Sequence, residues 1–220
     1  MPAGEPMSDL WWIIKLVITV VALVVLVRII SPRDFFQRVL NRNAALSDKL
    51  AVIVIFGLFS VFCTYMGSVL PSGAIINVRD MAPMLAGLIG GPLVGLGAGL
   101  IGGIHRFFLE GFTQVPCSLA TILIGLMAGY VNLWIIRQKG RIEFIKVHWA
   151  ALFAIVMELF HMGLILLIGR PFDTALGIVK TIMLWMVLAN TIGVSLGLLL
   201  IKKMAIEKYI LKHVKKEQPT

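Results

Sequence analysis

The chain has 220 residues, 59% hydrophobic and 14% charged, with a mean hydropathy of +0.96. A soluble domain averages about 45–50% apolar and about 25% charged, so a soluble globular protein is excluded and an integral membrane protein is expected. The net charge of +9 does not argue for nucleic acid as a partner, because most of it falls in loops and the C-terminal tail, where the positive-inside bias puts it.

The first apolar run is Leu10–Ile30, with Trp11 and Trp12 at its start, where a headgroup interface suits tryptophan. Lys15 and Arg28 lie near its ends and can snorkel. The preceding residues lack the basic start and small-residue cleavage site of a signal peptide, so this run reads as a retained span. Residues 31–49 are polar and carry Arg33, Arg38, Arg42 and Lys49. They read as a cytoplasmic loop with an interfacial helix around Asp34–Leu40. Leu50–Leu70 is the second long run, closed by the turn residues Pro71, Ser72 and Gly73. Further on come Cys117–Ile136, then Arg137, Lys139, Arg141 and Lys146 as a second cytoplasmic loop. Val147–Ile168 follows, closed by Gly169-Arg170-Pro171, and then Ala175–Ile201. The two cysteines, Cys63 and Cys117, make no disulfide framework and read as free thiols. The tail carries Lys202, Lys203, Lys208, Lys212, Lys215 and Lys216. Its Ile206, Ile210 and Val214 fall on one face of a short amphipathic helix, suited to anionic lipid or to a homodimer contact.

The stretch Asn77–Cys117 organises the rest. Both flanking loops are expected on one membrane side, and Leu50–Leu70 and Cys117–Ile136 supply two crossings. The region between must then cross zero times or twice. A single helix would cross once and would hold Pro92 in its interior, which costs a hydrogen bond. Two short helices, Val78–Ile89 and Pro92–Phe107, broken at Gly90-Gly91-Pro92, satisfy both arguments. The first is only about 18 Å long, so it must tilt, dip from one face or line a cavity. Gly87, Gly91, Gly95 and Gly99 recur at every fourth residue, as do Gly125 and Gly129, a spacing that lets helix backbones approach closely. The expected fold is all-α: a polytopic transmembrane bundle of about seven helices. Residues 1–44 form an N-terminal span and linker, 45–202 the main membrane unit, and 203–220 a basic cytoplasmic tail.

The ordered set N-V-R-D, A-G-L-I-G-G-P-L-V-G-L-G-A-G-L-I-G-G-I-H-R, P-C-S-L-A-T-I-L-I-G, M-E-L-F-H-M, G-R-P-F and A-N-T-I-G-V resembles the membrane sensor region of LytS-type histidine kinases. More distantly, the chain is similar to substrate-binding subunits of energy-coupling-factor transporters, which also turn through G-P-x-x-G-x-x-x-G. The first resemblance implies a receptor for a small external anion, a carboxylate such as pyruvate, that signals to a cytoplasmic kinase or cyclase. The second implies capture or transport. No ATP-binding module or phospho-acceptor region is read in these residues, and His213 stands alone in the tail, so the chain is expected to be a sensory part and not itself an enzyme. No cofactor is expected.

Arg79 and Arg106 sit at the two ends of the glycine-rich run. Charges beside a span are functional candidates, and arginine forks two donors onto a carboxylate. Either the pair clamps an anion, or the two arginines pair with Asp80, Glu110 or lipid phosphate. The resemblance places both at family motif positions. His105 either donates to the ligand or sets helix geometry. Cys117 is a pocket wall, a thiol for reversible chemistry with a keto group, or a small buried residue. Ser118 and Thr121 add hydroxyls, and Asn77 is expected to cap the first short helix. Glu110 and Gln114 depart from the family's usual small residues. Glu158 and His161 share one helix face and read as a buried polar lock, with Asn190 as a candidate partner coupling the pocket to the last span. Two such ligands are too few for a metal site.

Overall fold

Gly91 sets the architecture of the middle of the chain. Its φ of +86° lies in the left-handed region that favours glycine, and it ends one helix as Pro92 opens the next. The computed structural model describes residues 9–70, 73–139 and 145–217. In chain order the elements are α1 (Asp9–Ile30), α2 (Asp34–Leu40), α3 (Leu46–Tyr65), β1 (Ser68–Val69), β2 (Ile75–Ile76), α4 (Met81–Gly90), α5 (Pro92–Phe107), α6 (Gln114–Lys139), α7 (Val147–Ile168) and α8 (Phe172–Glu217). The fold is an all-α membrane bundle, with five of these helices long and apolar enough to cross a membrane. The eighth helix beyond the expected seven is α2, the anticipated interfacial segment. The turn residues Pro71 and Ser72, Arg141, and the side chains of Ile206, Ile210, His213 and Val214 lie outside the described residues.

Three long-range bonds set the helix directions. Arg42, before α3, donates to the Ile89 carbonyl near the end of α4 and to Asn132 late in α6. Lys202 of α8 donates to the Ile145 carbonyl just before α7. The starts of α3, α5 and α7 therefore share one face with the ends of α4 and α6. The α4–α5 pair runs to that face and back from it, which is consistent with the parity argument.

The first short helix differs from expectation. It begins at Met81, not Val78, and its ten residues rise only about 15 Å from Gly90. Its N-terminus consequently lies near the middle of a roughly 30 Å core. The chain reaches that depth as a buried non-helical segment, Ala74 to Asp80. Such backbone is tolerated inside a membrane only where protein surrounds it and satisfies its polar groups. The antiparallel pairing of β1 with β2, Ser68 opposite Ile76 and Val69 opposite Ile75, supplies part of that satisfaction. At the mouth above it, Gly73 and Gly111, both at positive φ, press backbone to backbone.

The glycine spacing serves packing. A Cβ on Gly87 would lie 2.6 Å from the Gly125 carbonyl oxygen and 2.7 Å from the Gly129 nitrogen, and Gly95 faces Gly125 just as closely. Helix association in lipid draws on close van der Waals contact more than on the hydrophobic effect, so this stripe welds α4 and α5 to α6. The paired tryptophans separate: Trp11 is exposed, whereas Trp12 is buried against Ile76 and Ile178. Lys15 donates to the Gly67 carbonyl. The last helix runs on unbroken from Phe172 through Glu217, so the tail is its continuation and not a separate helix.

Candidate functional site

Arg79 stands just ahead of α4 and Arg106 in the last turn of α5, and both are fully buried. The Arg79 Nε donates to the Thr121 hydroxyl at 2.9 Å and lies 3.5 Å from Asp80 Oδ1. Its second amino group reaches the Cys117 carbonyl at 3.5 Å. Arg106 donates to the Leu109 carbonyl and, at 3.2 Å, to the Thr113 hydroxyl. Arg79 Nη1 and Arg106 Nε find no hydrogen-bond partner among the described residues. Of the alternative pairings, Asp80 does accompany Arg79, while Glu110 is exposed. A buried guanidinium with an unused N–H carries a desolvation cost that only a further acceptor offsets.

Asp80 is the residue that sequence reading undervalued. The Thr121 hydroxyl donates to its Oδ1 at 2.6 Å, and His161 Nδ1 lies 2.8 Å from its Oδ2. On the other side of the imidazole, Nε2 lies 3.1 Å from Cys117 Sγ. Cys117 sits in the first turn of α6, within reach of the charges of both arginines. Thiol, imidazole and carboxylate thus form a line in the geometry of nucleophile, base and orienting acid. The signal for Asp80 was available: a carboxylate directly after Arg79, ahead of a span, is itself a candidate by the rule that flags intramembrane charges.

Glu158 is fully buried, with one oxygen 3.9 Å from His161 Nδ1, and neither of its oxygens has a hydrogen-bond partner among the described residues. Asp80, Glu158 and His161 bring ligating atoms within 4.8 Å of one another. This adds a third group to the expected pair, yet Asp80 is already engaged by Arg79, Thr121 and His161.

Other expected residues fall elsewhere. Asn77 does not cap α4; Asp80 occupies the N-cap position, and the Asn77 side chain accepts from the Arg79 backbone N–H at 3.0 Å. Asn190 does not meet Glu158 or His161. Its Oδ1 accepts from the Met81 N–H at 3.0 Å and its amide donates to the Asn77 and Met186 carbonyls. The last helix therefore supplies the acceptor that the start of α4 lacks. Ser118 donates to the Gln114 carbonyl of its own helix at 2.7 Å. His105 leans on Tyr65, with Nε2 at 3.1 Å from the hydroxyl.

A second cationic feature lies on the opposite face. Burial holds the Arg42 guanidinium below its ordinary value, and arginine stays charged regardless. Arg38 is raised by its hydrogen bond to Asp48.

The fold and site are those of a polytopic membrane bundle with two buried arginines at the open end of a broken helix hairpin. The chain matches the family model described as the 5TMR of 5TMR-LYT over residues 33–204. It belongs to that family, the five-transmembrane receptor region of LytS-type sensors. It is 33% identical over 186 residues to the sensor protein LytS of Bacillus cereus, covering 78% of this chain and 31% of the relative. To the sensor histidine kinase BtsS of Escherichia coli K12 it is 32% identical over 183 residues, 82% of this chain and 32% of the relative. To YpdA of the same organism it is 40% identical over 111 residues, 49% and 20% of the two chains. The chain spans about a third of the length of the first two relatives, and no solved structure matches it.

Proposed function

We propose that this membrane region binds a small carboxylate between Arg79 and Arg106 and reports it to a cytoplasmic histidine kinase or cyclase. The observation that carries the reading is the pair of unused N–H groups on two fully buried guanidiniums. A carboxylate accepts from both and offsets their desolvation. The face bearing Arg33, Arg38, Arg42, Lys49, Arg137 and Lys202 is cytoplasmic by the positive-inside rule, so the arginines open outward. The names of the relatives, sensor protein and sensor histidine kinase, support the signalling role. The Cys117 sulfur favours ligands with a keto group beside the carboxylate, pyruvate among them. The site is closed as it stands, so binding acts by preferring an opened arrangement of the Gly73 and Gly111 loops over this one.

Calorimetric titration of the protein in nanodiscs with pyruvate and a panel of small carboxylates tests the reading. Binding by the wild type, lost in folded Arg79→Ala and Arg106→Ala, is the expected result. A folded wild type that binds no carboxylate refutes it. The broken hairpin also suits a capture or transport subunit, since transporters build sites from such helices. Ligand flux into vesicles would favour that second reading over a receptor.

A further inference from the structure

The face opposite the arginine pair holds a cavity of about 210 Å³ at the α4–α5 break, lined by Arg42, Lys49, Gly91, Pro92 and Asn132. Three features make it electropositive. The first turn of the 16-residue α5 opens onto it through Pro92 and Leu93, and a helix N-terminus presents unpaired N–H groups and the positive end of the helix dipole. The cations Arg42 and Lys49 stand in its wall. The opposing helix end is neutralised: the Ile89 carbonyl accepts from Arg42 at 2.6 Å and the Leu88 carbonyl from Asn132 at 2.5 Å.

Nearby acid does not cancel this charge. Asp48, next to Lys49, is held by Arg38 in a two-pronged bond of 2.8 and 2.6 Å. The buried Nε of Arg42 has no hydrogen-bond partner among the described residues. Arg42 also adopts a φ of +61°, uncommon for a residue with a side chain, which turns its guanidinium in under α4.

We infer that this cavity is a second anion site that takes a phosphate group, either the headgroup of an anionic phospholipid or free inorganic phosphate. The guanidinium provides directed N–H donors, Lys49 a point charge and the α5 N-terminus backbone donors. The cavity of about 210 Å³ has room for a phosphate group, and recognition would rest on the charges and donors in its wall. The ligand would lie against Arg42, which grips the end of α4, so its occupancy bears on how firmly that hairpin is anchored.

The test uses the full chain in detergent, by native mass spectrometry with phosphatidylglycerol, phosphatidylcholine or inorganic phosphate, on wild type, Lys49→Gln and Arg42→Gln. One phosphatidylglycerol retained in preference to phosphatidylcholine, at least tenfold weaker in Lys49→Gln, assigns the site to a headgroup. A phosphate adduct retained at millimolar inorganic phosphate and lost in Lys49→Gln, with no retained lipid, assigns it to the free anion. Equal retention of both lipids, no effect of phosphate, and no change in Lys49→Gln overturns the inference. The Lys49 side chain makes no hydrogen bond or ion pair among the described residues, so this variant is expected to fold even where Arg42→Gln does not. Carboxylate binding at Arg79 and Arg106 is scored separately and stands or falls alone.

Discussion

Replacing Asn190 with leucine tests whether the last helix holds the start of α4. The change keeps volume and removes three hydrogen bonds, with Met81 N–H at 3.0 Å, Asn77 carbonyl at 3.4 Å and Met186 carbonyl at 3.1 Å. The Met186 carbonyl lies within α8 and loses little. The other two, the first N–H of α4 and a carbonyl of the buried segment before it, sit at the helix start. Leaving a buried polar group unpaired costs about 1–3 kcal/mol, whereas side-chain hydrogen bonds measured between membrane helices average about 0.6 and reach about 1.7. The higher range applies to the Met81 N–H, because the start of α4 is buried and has no water to turn to. A total loss of about 1–3 kcal/mol is expected. Equilibrium unfolding in mixed micelles of rising sodium dodecyl sulfate, followed by tryptophan fluorescence, measures it. Arg79 lies two residues from Met81, so carboxylate affinity should fall at least tenfold, about 1.4 kcal/mol. A leucine variant with wild-type unfolding and wild-type affinity refutes the coupling.

Three further outcomes separate the roles of the buried groups. Glu158→Met should leave stability unchanged or raise it by about 1–4 kcal/mol, since a buried carboxylate with no hydrogen bond among the described residues is replaced by an apolar side chain; the same unfolding titration reports it, and a clear loss would show that its 3.9 Å contact with His161 stabilises the fold. Ser118→Ala should leave carboxylate affinity within twofold, its hydroxyl being spent on Gln114, whereas Thr121→Val should weaken binding at least tenfold by cutting the bridge from Arg79 to Asp80; calorimetry on both compares them. Gly111→Ala places a methyl group against the Gly73 carbonyl at a φ of +128°, so it should hold the mouth open and speed alkylation of Cys117 by a small maleimide; an unchanged rate removes the Gly73–Gly111 contact from the access route.

The crossings were legible because charge and proline placement are one-dimensional signals. Loop lysines and arginines fixed the parity, Gly90-Gly91-Pro92 fixed the break, and fourfold glycines announced the tight seam with α6. The buried segment from Ala74 to Asp80 was not legible. Its apolar residues read as the start of a helix, and only the distant Asn190 and the β1–β2 pairing make the non-helical path affordable. Asp80 was visible but seemed spoken for by its neighbour Arg79, and its link to His161 depends on the packing of α4 against α7. Asn190 was found for the right reason, a polar group deep in a span, and assigned to side chains when its partners are backbone. That error is built into residue patterns, which carry no record of where the main chain leaves a donor unfilled.

The last helix is also a mechanical part. Its 46 residues amount to a rod of about 69 Å. Asn190 grips the pivot where Arg79 and Asp80 enter the bundle, and the rod extends about 40 Å beyond that grip to Glu217. A stiff arm held near its fulcrum turns a small displacement into a larger one at its tip. A tilt of a few degrees at the Asn190 grip becomes a shift of roughly 2–4 Å at the far end, by geometry on the helical rise. A sub-ångström adjustment around an anion would therefore arrive at the basic end of the helix as a movement on the scale of a side chain.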